Sequence, residues 1–284
     1  MKIKEIKELS NNELVIKWRI TYDCNYQCSY CYQKTACNTD LGELDYLEIA
    51  RKINTLIQKS GKKKVKLYLI GGEVTLLPLE DILQELPKIE TLHITTNFSK
   101  NAEYFNNLRK YVKNLDVCFS FHSEYVSVNE FIEKLRPLDK KINKKVEMVF
   151  NDNTAQVNYQ LIERLNELEI PYDCDKDKLS NVTVEIPEST TEERIKVTLE
   201  NNKVKHYRNK NDLFYDKEVD CRDNKYLRLK GQTCSFGYSY LYIKGDKLQS
   251  YCDGTRTEIE DWQSAKRVCE KDGCTLCGEI NITE

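Results

Sequence analysis

The stretch Leu14–Thr21, LVIKWRIT, runs without a break into Tyr22–Cys31, YDCNYQCSYC. The first eight residues alternate with period two, as a half-buried strand does. The next ten put Cys24, Cys28 and Cys31 at that strand's C-terminal end, where parallel sheets carry their active sites. Moving outward, strand-like and helix-like segments alternate. Tyr46, Ile49, Ile53 and Ile57 repeat at helical spacing, with Gly61 where a C-cap belongs. Strands are expected at Val65–Ile70, Thr91–Thr96, Asp116–Phe121, Val146–Phe150 and Ile170–Cys174. Helices are expected from Pro78 through Leu86, from Ala102 to Val112, around Phe131 and Leu135, and along Leu161, Leu165 and Leu168. Such alternation implies a parallel sheet with right-handed crossovers. Five or six units fall short of the eight of a closed barrel, so the fold class is α/β, a partial (β/α)6 barrel.

From about residue 187 the alternation fails. Arg194–Leu199 reads equally as helix or strand. Tyr238–Ile243, Lys244-Gly245-Asp246 and Lys247–Tyr251 read as a β-hairpin with a glycine turn. The expected division is a barrel over residues 1–186 and a small Cys-rich hairpin module over 187–284. The runs Lys62-Lys63-Lys64 and Lys140-Lys141…Lys144-Lys145 precede strands, on the face opposite a ligand site, and read as solvated turns.

Composition narrows the class. The 284 residues include 44 Lys and Arg against 46 Asp and Glu, a net charge of −2. That balance argues against a dominant nucleic-acid or membrane field. No apolar run reaches the length of a membrane span, and MKIKEIKELS lacks a signal-peptide core, so a cytoplasmic location is expected. Hydrophobic residues make up 40%, with 18 Tyr and 8 Phe, enough for a sizeable core. Against this background 12 cysteines are many, and in a reducing compartment crowded thiols bind metal or do chemistry more often than they form disulfides.

The early cysteines have the spacing C-x3-C-x2-C. Structural zinc sites want four ligands and usually pair two distant knuckles, although Cys37 is available as a fourth here. Three cysteines on a cubane of four irons leave one iron without a protein ligand, and that open position is where a small molecule can bind.

This motif, with Tyr30 before its third cysteine, resembles that of the radical S-adenosylmethionine (SAM) superfamily. Gly71-Gly72-Glu73-Val74-Thr75 resembles the family's GGEP element with Val74 in place of proline, and Thr95-Thr96-Asn97 and Ser120-Phe121-His122 resemble its SAM-contacting strand ends. The resemblance covers about residues 14 to 175. It implies that Cys24, Cys28 and Cys31 hold a [4Fe–4S] cluster whose unique iron binds SAM. It further implies that Gly71, Gly72 and Glu73 meet the methionyl amino group, mainly through backbone. Tyr30 is then expected against the adenine, and Thr96, Asn97 and Ser120 at the ribose or methionyl part. His122 is open between a buried structural histidine and a functional one; His93 and His206 read as structural, and Cys118 as core.

Cys234 and Cys252 flank the hairpin, and Cys269, Cys274 and Cys277 follow. A hairpin pair plus a distant CxxC makes a four-thiolate cage that by itself suits zinc. Resemblance to the Twitch and SPASM modules of radical SAM enzymes implies one auxiliary [4Fe–4S] cluster instead. The expected ligands are Cys234, Cys252, Cys274 and Cys277, with Cys269 in reserve. Cys221 remains open between ligand, buried hydrophobe and hydrogen-atom donor; Cys37 and Cys174 are unassigned.

In that reading a flavodoxin- or ferredoxin-like partner supplies one electron, SAM is cleaved, and a 5′-deoxyadenosyl radical abstracts hydrogen from an unactivated carbon. The substrate is expected to be a ribosomally made peptide, cross-linked, desaturated or epimerised. With only about a dozen residues before the first strand, its leader would need a separate carrier protein. The alternatives are a small molecule such as a sugar, or a zinc-stabilised binding protein that is no enzyme.

Overall fold

The computed structural model describes residues 12–31, 41–177, 179–187, 190, 198–200, 203–205, 233–234, 237–250, 254–264 and 267–268. Within them strand β1 (Glu13–Thr21) is followed by helix α1 (Tyr46–Ser60), β2 (Lys64–Gly71), a single 3-10 turn at Val74–Leu76, α2 (Leu79–Gln84) and β3 (Ile89–Thr96). Then come α3 (Ala102–Leu108), β4 (Asn114–Phe121), α4 (Val128–Leu135), β5 (Asn143–Phe150), α5 (Ala155–Glu167) and β6 (Tyr172–Lys176). The expected strands and helices are all present, with ends moved by a few residues. The helix expected to reach Val112 stops at Leu108, and Leu168 lies past the end of α5, exposed.

Local chemistry sets the helix ends. Asp45 caps α1 by accepting from the backbone N–H of Leu47 at 3.1 Å and of Glu48 at 2.9 Å. Gly61 closes it in the left-handed conformation, φ 64°, which costs glycine nothing. Ser127 and Glu130 form a reciprocal capping box at the start of α4.

β1 to β6 pair in sequence order, every neighbour parallel. Strand residues of one parity face the helices: Leu14, Ile16, Trp18 and Ile20 of β1 are wholly buried there, with Phe119 and Phe121 of β4 and Phe150 of β5. At about 2 kcal/mol for each large apolar side chain removed from water, this layer is the main source of stability.

The opposite, inner face is polar. A closed barrel fills that space with branched apolar side chains. Here it carries Lys17, Arg19, Tyr68, His93, Asp116, Cys118, Ser120, Lys145, Glu147 and Asp173. Ser120 donates to Glu147 at 2.5 Å, the Cys118 thiol donates to the same carboxylate at 3.2 Å, and Lys145 pairs with Asp173 at 2.7 Å. Two lysines therefore depart from the expected solvated turns. Lys145 points into this face because it lies inside β5, and Lys62 is buried with its ammonium 4.2 Å from the Tyr238 ring.

The hairpin is present as β10 (Tyr240–Lys244) and β11 (Lys247–Gln249), turning at Gly245-Asp246. It does not stand apart from the barrel. β10 pairs parallel with β1, and β12 (Arg256–Glu258) pairs with β11, so the sheet has the order β12-β11-β10-β1-β2-β3-β4-β5-β6. The Trp18 indole N–H donates to the Gly245 carbonyl at 2.8 Å and pins the turn to β1. Short pairs β7 (Thr198–Glu200) with β8 (Lys203–Lys205), and β9 (Thr233–Cys234) with β13 (Arg267–Val268), complete the described strands. β7 resolves the ambiguity at Thr198 and Leu199 in favour of strand; 191–197 lie outside the described residues. Among the described residues no helix is long and apolar enough to cross a membrane.

His93 lies mid-strand in β3, 8% exposed, its ring 4.9 Å from that of Tyr68. Burial, aided by the charges of Lys145 and Lys17, pulls its pKa down to about 3. The folded chain therefore keeps His93 neutral while the unfolded chain protonates it below about pH 6.5. The unfolded state then binds more protons, so stability falls as pH drops from about 6.5 toward 3, by at most about 1.4 kcal/mol per unit from this group. Urea midpoints at pH 7, 6 and 5 should show that slope, and His93→Asn should flatten it. An equal slope in the variant would assign the acid sensitivity elsewhere.

Candidate active site at the ends of β1 to β4

The loop 22–31 leaves the end of β1 and is held from two sides. On one side the end of β2 presses against it. Gly72 N–H donates to the Thr21 carbonyl at 2.9 Å and Glu73 N–H to the Asp23 carbonyl at 2.7 Å. Gly71 has φ 152°, and a Cβ there would meet Thr21 O at 2.0 Å; one on Gly72 would meet Asp23 O at 2.1 Å. The paired glycines are thus required by the approach of one backbone to another.

Glu73 is 1% exposed and ties three strand ends together. Its Oε1 accepts from Thr75 N at 2.9 Å, Thr75 Oγ1 at 2.5 Å and Thr96 Oγ1 at 2.8 Å; its Oε2 accepts from Asn97 N at 2.6 Å. The Thr96 hydroxyl also accepts from Phe98 N at 3.1 Å. Phe98 is buried with φ 58°, a left-handed conformation unusual for an aromatic residue, and this network fixes it. Val74, where the motif has proline, opens the 3-10 turn fully buried, with Glu73 as its cap. Asn97 projects from this hub toward the cysteine loop, its Nδ2 2.8 Å from Asn25 Oδ1 and 3.8 Å from Cys24 Sγ.

On the other side lies the turn after β4. His122 Nδ1 is 3.2 Å from Cys28 Sγ and 3.0 Å from the Tyr30 hydroxyl. Tyr30 thus rests on His122, rings 5.9 Å apart and nearly parallel. Withdrawal from water pulls His122 down to about 4. Ser120, one pleat below, is directed at Glu147.

Of the three cysteines, Cys24 is exposed, Cys31 half-buried and Cys28 6% exposed. Burial pushes the Cys28 thiol up to about 12, with the Glu124 charge adding, and raises Cys24 too. Both are protonated at neutral pH, so a metal that takes them releases protons. The donor set suits an iron–sulfur cluster. Three thiols lie on one short loop; the Tyr26 N–H donates to the Cys24 sulfur at 3.4 Å, and Nδ1 of His122 lies 3.2 Å from the Cys28 sulfur. Among the described residues no three Cys, His, Asp or Glu side chains converge as the ligands of a single metal ion do.

The structure thus brings Cys24, Cys28, Cys31, Tyr30, Gly71, Gly72, Glu73, Thr96, Asn97 and His122 to one end of the sheet, with Ser120 just beneath. Cys234 lies in β9, paired through backbone with Arg267. Cys221, Cys252, Cys269, Cys274 and Cys277 lie outside the described residues. Sequence reading missed Glu124, Tyr125 and Glu147. For Glu147 the signal was present, a charged residue in mid-strand between Val146 and Met148.

These features define a class. Residues 18–122 match the family model of the radical SAM superfamily. It is 31% identical over 156 residues to a probable GTP 3′,8-cyclase of Thermococcus kodakarensis, covering 53% of this chain and 48% of that one. It is 27% identical over 114 residues to an S-adenosylmethionine-dependent nucleotide dehydratase of Psychrobacter lutiphocae, covering 35% and 38%. The match thus spans less than half the length of either relative. The fold is similar to that of native anSMEcpe with bound AdoMet and Kp18Cys peptide, at TM-score 0.51 and 15% identity over 87% of this chain and 78% of that one.

Proposed function

We propose that this chain is a radical SAM enzyme, with a [4Fe–4S] cluster on Cys24, Cys28 and Cys31. The observation that carries the reading is the cysteine loop at the end of β1, held between the glycine pair of β2 and the turn after β4. When bound, cluster and SAM supply a 5′-deoxyadenosyl radical that takes hydrogen from a substrate carbon. The protein's share is placement. Gly71, Gly72 and Glu73 offer backbone to the amino end of SAM, Asn97 and Ser120 offer polar atoms beside it, and Tyr30 and His122 wall the cluster from water. The polar inner face below gives a substrate hydrogen-bonding partners that an apolar barrel lacks.

Cys234, Cys252, Cys274 and Cys277 are proposed to hold one auxiliary [4Fe–4S] cluster, with Cys269 in reserve and Cys221 as a candidate hydrogen-atom donor. What supports this is the sequence arrangement, a hairpin flanked by Cys234 and Cys252 and followed by the Cys274–Cys277 pair. The proposed substrate is a peptide, supported by the fold shared with peptide-bound anSMEcpe over most of this chain. A nucleotide is the second reading. It is favoured by the two relatives and by Arg19 and Lys244, directly opposite in register, which share the Tyr22 ring at 5.3 and 5.6 Å. The proposed setting is the cytoplasm, with a flavodoxin- or ferredoxin-like electron donor.

Anaerobic protein should contain about eight irons and eight sulfides if both cubanes form. Incubated with SAM and dithionite it should release 5′-deoxyadenosine. Two zincs, no sulfide and intact SAM would end the proposal. Acceleration of cleavage by nucleoside triphosphates, with none by peptides, would favour the second reading.

A further inference from the structure

The four residues after β4, His122-Ser123-Glu124-Tyr125, form a tight turn in which Tyr125 N–H donates to the His122 carbonyl at 2.9 Å. This turn meets every residue from Tyr26 to Tyr30. The Tyr125 ring stacks on Tyr26 at 4.0 Å and 5°. Its hydroxyl accepts from Gln27 N–H at 2.5 Å. The Glu124 carboxylate accepts from Ser29 N–H at 3.0 Å and from the Ser29 hydroxyl. His122 reaches Cys28 Sγ and the Tyr30 hydroxyl through one nitrogen, with the edge of Tyr26 against its ring. Five consecutive loop residues held by three side chains of one turn is more than a loop needs to keep its place. The one side chain of the turn aimed at a cysteine sulfur, rather than at backbone, is His122.

We propose that this turn is a clamp on the cluster loop, and that His122 donates its Nδ1–H to the Cys28 sulfur and thereby sets the reduction potential of the cluster held there. The inference rests on the assignment of Cys24, Cys28 and Cys31 as cluster ligands. A hydrogen bond to a thiolate ligand draws off negative charge. It therefore stabilises the reduced cluster, which carries one electron more, and raises the potential. Tyr30, hydrogen-bonded to both His122 and Cys28, keeps the imidazole plane in line. His122 acts through Cys28 and is a positioning residue.

Two amides separate this role from mere packing. Asn places an N–H near the Nδ1 position, whereas Gln places it near Nε2. In redox titrations of the anaerobic holoprotein, followed by the electron paramagnetic resonance signal that SAM perturbs, H122N should stay near the parent. H122Q and H122F should be about tenfold harder to reduce at a given potential, about 59 mV for one electron. Equal potentials in all three variants at full iron content would overturn the tuning role. If H122F loses its cluster, the Asn and Gln pair decides alone. The clamp is read separately on the metal-free chain by amide hydrogen exchange. Glu124→Ala should speed exchange at Ser29 and Tyr125→Phe at Gln27, each about tenfold, and unchanged exchange would overturn the clamp. Absence of iron and sulfide from the parent would instead remove the cluster assignment, and the tuning role with it.

Discussion

Cys28→Ala should abolish release of 5′-deoxyadenosine, a fall of at least about a thousandfold, or about 4 kcal/mol of barrier. On the proposed reading, two thiolates would be left to hold a cubane assigned to three, and Cys28 is the most buried of the three. The variant should lose the iron and sulfide of one cluster while keeping its fold, because alanine at this site leaves only a small void at the surface end of the sheet. Cys174→Ala, which truncates a buried thiol of β6, is the control and should keep full iron. Cleavage of SAM by Cys28→Ala at the parent rate would show that the reacting iron is held elsewhere.

Gly72→Ala should come next in size. The added methyl carbon would lie 2.1 Å from the Asp23 carbonyl oxygen and 2.6 Å from that of Tyr22. Both are backbone, so no side chain can swing away. Either β2 or the cysteine loop must move, and the 2.9 and 2.7 Å hydrogen bonds between them are lost. Forced overpacking of this kind costs about 3 kcal/mol. The expected result is a lower urea midpoint together with poor iron uptake, since the displaced segment is the one that carries Cys24. Normal stability and normal iron in this variant would mean that the two backbones do not need their close approach.

The barrel strands and the first cysteine cluster were legible because their signals are local. Leu14, Ile16, Trp18 and Ile20 alternate within eight residues, and C-x3-C-x2-C fits within one loop. Gly61 and Pro78 marked helix ends through backbone preferences that neighbours do not alter. What escaped was non-local. Nothing in Tyr240–Lys244 announces that it pairs with β1, since pairing partners more than two hundred residues apart leave no spacing to read. Lys145 read as part of a basic run, yet its strand position turns it onto Asp173. Glu124 and Tyr125 look like ordinary turn residues until the loop they grip is beside them. The glycine pair was expected to make room for a ligand, and the structure adds that it makes room for the chain's own Thr21–Asp23 segment.

The union of β10 with β1 has a consequence for synthesis. The first strand of the sheet leaves the ribosome with one hydrogen-bonding edge bare, and its partner for that edge is made more than two hundred residues later. Until then a strand that carries Leu14, Ile16, Trp18 and Ile20 offers an open template to other chains. A fragment ending before residue 240 should therefore self-associate through β1, whereas one ending after residue 264 covers that edge with β10. Distant pairing of this kind also delays the final step of folding, because the long intervening segment must close as a loop before the last strand docks.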